Sequence, residues 1–172
     1  RNCENIKLFG GQTLLLDFGK NMVGRPSIYI KADRGTKINV YYAELLNDSG
    51  LESRGNDGPE GSIYMKNYRS ALSRTVYYAS GAEDGERYFP THTFYGFRYI
   101  EIEADGDVEI GEVKGIVIGS DNREVSTFET SDYEVNKLFQ NILWGQRGNY
   151  LSVPTDCPQR DEKLGWTGDA QI

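Results

Sequence analysis

The chain has 172 residues, of which 38% are hydrophobic, 26% charged and 12% aromatic. This is the composition of an ordinary globular protein, and it excludes a disordered or fibrous chain. The 26 Asp and Glu residues outnumber the 19 Lys and Arg residues, for a net charge of -7. Because the cations are also scattered, no nucleic-acid partner is predicted, and no window approaches the ~18 consecutive apolar residues of a membrane span.

The first three quarters of the sequence have the pattern of an antiparallel β protein. Short runs rich in β-branched and aromatic residues are separated by Gly, Asn and Asp clusters. The predicted strands are residues 13–18, 27–32, 37–44, 74–79, 97–104, 112–118 and 125–129. Apolar residues alternate with polar ones, as at Ile38 and Val40 or Ile100 and Ile102. The fold class is therefore mainly β: an antiparallel, jelly-roll-like β-sandwich.

Two features between these strands bear on function. Residues 47–61 contain four glycines and Pro59 but only Leu51 as an apolar residue, so they are predicted to form a long exposed loop and not a ligand groove. The single histidine, His92, follows Phe89 and precedes Phe94. This setting favours a half-buried structural histidine at a strand entry over a catalytic base.

The periodicity changes from that of a strand to that of a helix after Thr130. Ser131 and Glu134 have the spacing of a capping box, which predicts a helix start. Apolar residues then recur at helical spacing, and Gly148 gives a stop. The stripe consists of Val135, Leu138, Phe139, Ile142 and Leu143. A lone amphipathic helix must bury such a stripe, either on the sandwich or in a further helical domain.

Neither a metal site nor a cofactor is predicted. Cys3 and Cys157 lie far apart and outside any CxxC or His-containing spacing, and no glycine-rich segment has the context of a phosphate-binding motif. The first five residues lack the apolar core of a signal peptide. Because the chain does not begin with Met, we expect a mature form or a piece of something longer.

The candidate chemistry lies in residues 150–169. Within 14 positions this segment supplies four carboxylates, one guanidinium and one indole: Asp156, Arg160, Asp161, Glu162, Trp166 and Asp169. Glycosidic cleavage needs a protonated carboxyl for the leaving oxygen, further carboxylates for ring hydroxyls and an aromatic face for the sugar. The alternative is a solvated loop in which Asp156 caps a helix that begins near Pro158.

The segment taken whole resembles a known family. Residues 153–162 (VPTDCPQRDE) and 164–171 (LGWTGDAQ) closely resemble the signature of bacterial α-L-rhamnosidases, glycoside hydrolase family 78. The match is long and free of gaps. The rest of the chain resembles the family in the same order, at residues 17–24 (DFGKNMVG), 42–46 (YAELL), 94–99 (FYGFRY) and 141–149 (NILWGQRGN).

This resemblance implies a β-sandwich followed by an (α/α)6-barrel that hydrolyses terminal α-L-rhamnose with inversion. The implied domains are residues 1–125 for the sandwich and 126–172 for the truncated start of the helical catalytic domain. Carried onto this sequence, the general acid is Glu162. The residues that would hold the rhamnose ring are Asp156, Arg160, Trp166 and Asp169, with Asp161 as a further contributor.

The resemblance also implies that half of the catalytic pair is missing. The family's general base is a glutamate much later in the barrel, and an inverting site needs two carboxyls roughly 6.5–9.5 Å apart. We therefore expect the chain alone to have little or no activity on rhamnose-containing glycosides or polysaccharides. The helix stripe would then be exposed and would favour homo-oligomer contacts.

Two other functions remain open at this point. The chain could be a non-catalytic carbohydrate-binding sandwich that the acidic segment only decorates. It could also belong to a glycosidase of the same two-domain plan with a different sugar specificity, because specificity would be set largely by barrel loops outside the chain.

Overall fold

The structure is a computed structural model that describes residues 5–48 and 55–168. These contain one α-helix, α1 (Tyr133–Asn149), and a 3₁₀ turn (Lys66–Tyr68). The strands are β1 (Ile6–Leu8), β2 (Thr13–Ala32), β3 (Lys37–Ala43), β4 (Leu45–Leu46), β5 (Ile63–Tyr64), β6 (Arg74–Tyr78), β7 (Glu86–Tyr88), β8 (Tyr95–Ala104), β9 (Val108–Val117), β10 (Tyr150–Leu151) and β11 (Val153–Pro154). None of the helices in these ranges is long and apolar enough to cross a membrane.

One antiparallel sheet folds over itself to make the sandwich. Its strand order is β1-β9-β2-β8-β3-β6, and β7 also pairs with β2. The first part of β2 pairs with β8, and its second part pairs with β9. Side chains from both halves of the sheet then meet in one core cluster, including Ile28 and Ile30 of β2 with Ile100 and Ile102 of β8, all fully buried. The predicted mainly β fold followed by a helical segment is confirmed.

The corner of the folded sheet lies at Gly24. This residue pairs with Tyr95 of β8 and also with Val117 of β9. A Cβ atom built on Gly24 would lie 2.1 Å from the backbone carbonyl oxygen of Ile116. A glycine is needed here because no other side chain leaves room for two strands to approach so closely.

The strand predictions are confirmed in most places, but they miss the short strands β1, β4, β5, β7, β10 and β11 and differ in two larger respects. The strands predicted at 13–18 and 27–32 are parts of one strand, β2, which has a register shift between Asp17 and Met22. The strand predicted at 125–129 is wrong, because these residues are exposed and pair with no strand in the described part of the chain. Phe128 instead packs its ring on Phe139 of α1, with centroids 4.9 Å apart. A β-prone sequence forms a strand only where a sheet edge can pair with it.

The predicted exposed loop is organised by one buried side chain. Asn47 is buried, and its Nδ2 donates to Ser62 Oγ (2.9 Å) and to the Ile63 carbonyl (3.0 Å). Residues 57–61 are exposed as predicted, whereas Leu51 lies outside the described residues. His92 is exposed in a bend with φ 57°, so the prediction that it is half-buried is wrong.

Helix α1 starts and packs differently from the prediction. Its cap is Asp132 and not Ser131, because Asp132 Oδ1 accepts from the backbone N–H of Glu134 (2.8 Å) and of Val135 (3.4 Å). The helix ends at Asn149, one residue past the predicted stop. It docks on the sandwich through Trp144, whose indole Nε1 donates to the Asn21 carbonyl (2.6 Å).

The predicted apolar stripe of α1 is largely uncovered. Leu138 and Ile142 are 59% and 57% exposed, and Val135 is also exposed. Phe139 and Leu143 are half-buried. The helix therefore contacts the sandwich at one end and presents most of its apolar face to solvent.

Candidate active site

The acidic segment, residues 155–167, follows α1 and contains no helix or strand. The short β10–β11 hairpin leads into it, and the Thr155 backbone N–H donates to the Asn149 carbonyl (2.7 Å) at the end of the helix. Thr155 and Pro158 are buried, which fixes this part of the segment. The alternative prediction of a helix beginning near Pro158 is wrong, because the residues after it form turns.

The backbone of this region is unusually strained. Five non-glycine residues among those described have a positive φ, and Ser152 (68°), Asp156 (61°) and Lys163 (37°) are in or next to the acidic segment. A fourth, Arg69 (56°), faces the segment from the sandwich. Such conformations cost free energy and concentrate where surrounding contacts hold a functional geometry.

The segment packs tightly on strand β8. A Cβ on Gly96 would lie 2.8 Å from the Cβ of Gln159, so the segment approaches the bare backbone of the sheet. Lys163 Nζ donates to the Phe94 carbonyl (3.4 Å) and lies 4.5 Å from the centre of its ring. Burial lowers the pKa of Lys163, against the opposing influence of Asp161.

Glu162 lies between two guanidinium groups. Its Oε1 is 3.2 Å from Arg69 Nη1, and its Oε2 is 3.7 Å from Arg160 Nη1. Arg160 also donates from Nε to the Asn67 carbonyl (3.3 Å) in the 3₁₀ turn. The two residues predicted as acid and sugar ligand are thus brought together, and the sandwich contacts both of them.

The half-buried carboxylate of Glu44 contacts the turn that holds Arg160. Glu44 accepts hydrogen bonds from Asn21 Nδ2 (2.9 Å) and Asn67 Nδ2 (3.1 Å). Burial raises the pKa of Glu44, whereas the Asn21 hydrogen bond and the charge of Arg160 oppose that rise. Glu44 therefore connects the turn that holds Arg160 to the rest of the sandwich.

Asp156 and Trp166 line a neighbouring groove of about 560 Å³ between α1 and β11. The side chain of Trp166 is exposed, and its backbone N–H donates to the Pro154 carbonyl (2.9 Å). The wall also contains Asn149, whose Oδ1 is buried and lacks a hydrogen-bond partner among the described residues. An exposed indole beside a carboxylate and an unpaired amide oxygen suits a ligand with both apolar faces and hydroxyl groups.

Cys157 lies next to Asp156 in the acidic segment. Its Sγ lies 3.5 Å from Asp156 Oδ2. Burial raises the pKa of this thiol, Asp156 adds to the rise, and Arg160 and Glu162 act on it with opposite signs. The thiol therefore lies close enough to Asp156, Arg160 and Glu162 for their charges to influence it.

The predicted site residues have different outcomes. Glu162 and Arg160 form one cluster, and Asp156 and Trp166 share the groove. Asp161 is exposed, and Asp169 lies outside the described residues. Sequence reasoning missed four partners on the sandwich: Asn21, Glu44, Asn67 and Arg69. Glu44 is in one of the segments that resemble the family, whereas no local signal distinguished Asn67 or Arg69.

Comparison with known proteins assigns the family. Residues 7–119 match the model of the bacterial alpha-L-rhamnosidase concanavalin-like domain, and residues 123–172 match that of the bacterial alpha-L-rhamnosidase 6 hairpin glycosidase domain. The chain therefore belongs to the bacterial α-L-rhamnosidases of glycoside hydrolase family 78. This family assignment confirms the resemblance seen in the sequence.

Named relatives agree with this assignment. An alpha-L-rhamnosidase of Formosa agariphila is 40% identical over 161 residues, and one of Streptomyces avermitilis is 43% identical over 159 residues; each match covers 92% of this chain. The structure of the Streptomyces avermitilis alpha-L-rhamnosidase complexed with L-rhamnose superimposes with a TM-score of 0.72 and 38% identity, covering 98% of this chain and 16% of that one. The chain spans only 16% and 14% of the length of the two curated relatives.

Proposed function

We propose that this chain is the β-sandwich and the beginning of the helical catalytic domain of a longer, inverting α-L-rhamnosidase. The observation that carries the proposal is the contact of Glu162 with Arg69 and Arg160, in the same segment whose Asp156 and Trp166 line a groove. The two family-model matches support a division near residue 125, with residues 1–125 as the sandwich and 126–172 as the start of the catalytic domain.

In this proposal the residues have separate roles. Glu162 is the general acid that protonates the leaving oxygen as the glycosidic bond breaks. Asp156 and Arg160 bind ring hydroxyls, because a carboxylate accepts and a guanidinium donates hydrogen bonds, and Trp166 stacks on the sugar. Asp161 and Asp169 are assigned as further ligands of the same rhamnose.

The general base is proposed to lie outside the chain. An inverting mechanism places water between the acid and a second carboxylate roughly 6.5–9.5 Å away, and that water attacks the anomeric carbon from the opposite face. We assign this second carboxylate to a later part of the catalytic domain. The relatives are several times longer than this chain, which supports the assignment.

Substrate choice and stereochemistry test the proposal together. The full-length protein is incubated with aryl α-L-rhamnoside, aryl α-L-fucoside and aryl β-D-glucuronide, and the first sugar released is followed by proton NMR. We expect selective cleavage of the rhamnoside, with β-L-rhamnose as the first product because the configuration inverts.

Three other results would contradict the proposal in different ways. Release of α-L-rhamnose first would mean retention, and faster cleavage of the fucoside or glucuronide would mean another glycosidase. If no sugar is released but rhamnose binding survives both Glu162→Gln and Asp156→Ala, the chain is a carbohydrate-binding module.

A further inference from the structure

We propose that Arg69 of the β-sandwich is a positioning residue for the Glu162 carboxyl, so that the sandwich forms part of the catalytic centre. This inference rests on the proposed function, since it takes Glu162 to be the general acid. Arg69 Nη1 lies 3.2 Å from Glu162 Oε1, although the two residues are 93 positions apart in the sequence.

The local structure holds Arg69 in one place. Its backbone has φ 56° and ψ -111°, a combination that L-amino acids rarely adopt. The preceding Tyr68 is fully buried, and its hydroxyl donates to the Gly96 carbonyl (3.0 Å) under the acidic segment. Asn67, one residue earlier, donates a hydrogen bond to the half-buried Glu44. A turn anchored by these two residues can therefore maintain a strained residue at its end.

Stability alone does not account for this arrangement. The Arg69 and Glu162 side chains are 68% and 38% exposed, and ion pairs this exposed contribute little to folding. The strain at Arg69 is therefore not offset by its salt bridge. Residues that the surrounding structure holds in such strained conformations cluster at functional sites.

The contact with Arg69 determines which oxygen of Glu162 carries the acidic proton. A guanidinium can only donate hydrogen bonds, so contact with Glu162 Oε1 leaves Oε2 as the oxygen that carries the acidic proton. Arg160 is 3.7 Å from Oε2, beyond a direct hydrogen bond. During catalysis the Oε2–H bond breaks, the proton passes to the leaving oxygen as its bond to the sugar breaks, and the negative charge left on Glu162 faces Arg69.

The test separates proton donation from general damage by varying the leaving group. In the full-length protein, kcat/KM is measured for 4-methoxyphenyl α-L-rhamnoside, which needs protonation, and for 2,4-dinitrophenyl α-L-rhamnoside, which does not. We expect Arg69→Ala to lower the first value about tenfold or more and the second by less than about twofold. Arg69→Lys should restore part of the loss because it returns the cation.

Arg87→Ala is the matched control. Arg87 forms an ion pair with Glu112 (3.1 Å) elsewhere on the sandwich, and both side chains are about half exposed. Its loss should affect neither substrate. Thermal unfolding checks that each variant is folded, and Arg69→Gln, which keeps most of the side chain, takes the place of Arg69→Ala if that variant does not fold.

The outcomes distinguish the inference from the function on which it rests. Equal losses on both substrates, or no loss on either, with an active wild-type protein would overturn the role of Arg69 and leave the rhamnosidase proposal in place. A folded wild-type protein that cleaves neither rhamnoside would overturn the proposed function and the inference with it.

Discussion

Replacing Glu162 with glutamine in the full-length protein is expected to reduce rhamnose release from 4-methoxyphenyl α-L-rhamnoside by about 10²- to 10⁴-fold, the usual contribution of a general acid. Glutamine has nearly the same shape and keeps an oxygen that can face Arg69, but it has no carboxyl proton to deliver. The loss on 2,4-dinitrophenyl α-L-rhamnoside should be much smaller, because that leaving group departs without a proton. Initial rates on both substrates measure the difference.

A second carboxylate provides the control for this experiment. Glu112 is on β9 of the sandwich and is ion-paired with Arg87 and with Lys114, so Glu112→Gln removes an equivalent charge outside the site. Its rates should stay within about twofold of wild type, as for most surface substitutions. Equal losses on both leaving groups for Glu162→Gln would show that Glu162 is not the acid.

The largest effect on stability is expected for Gly24→Ala. The added methyl group would be 2.1 Å from the carbonyl oxygen of Ile116, and the obstructing atom belongs to the backbone of β9 and cannot rotate away. The sheet would have to open at the corner where β2 pairs with both β8 and β9. We expect the free energy of unfolding to fall by about 3 kcal/mol, at the upper end for overpacking. Urea unfolding measures this change.

Gly145→Ala is the matched control and should change stability in the opposite direction. Gly145 is in the interior of α1, and a Cβ built there meets nothing within 4 Å. Alanine should therefore stabilise the helix by about 0.5–1 kcal/mol. A Gly24→Ala variant as stable as wild type would contradict the assignment of Gly24 to the corner of the sheet.

The sequence predicts the β-strands well where one face is buried. It fails where contacts between residues far apart in the sequence determine the structure. Alternation identifies β3 and β8 because Ile38, Val40, Ile100 and Ile102 all enter the core. It does not show that two predicted strands form one, because the bulge between Asp17 and Met22 interrupts the period. Residues 125–129 have strand-like composition, and only the packing of Phe128 on α1 gives them another role.

The sequence also predicts the position of helix α1 but not its N-cap or the exposure of its apolar stripe. Its position follows from the periodicity of the apolar residues, and both Ser131 and Asp132 are residue types that favour an N-cap. The choice of Asp132 depends on the backbone geometry at the turn, which the spacing to Glu134 does not reveal. The exposure of the stripe likewise depends on what covers it, and no pattern within the helix determines that.

The sequence identifies the site residues that are close together along the chain but not their distant partner. Glu162, Arg160, Asp156 and Trp166 are close together in the sequence, so one local segment identifies them. Arg69 contacts Glu162 only because the fold brings the 3₁₀ turn against a segment 93 residues later. Such a pair has no shared sequence period, and only the structure reveals it.

If this chain carries the acid of a rhamnosidase and the base lies outside it, the purified 172-residue chain and the full-length protein should differ sharply on 4-nitrophenyl α-L-rhamnoside under identical conditions. We expect rapid release of 4-nitrophenol by the full-length protein and no more than trace release by the chain. Release by the folded chain at a rate close to that of the full-length protein, or none by either, would contradict this assignment.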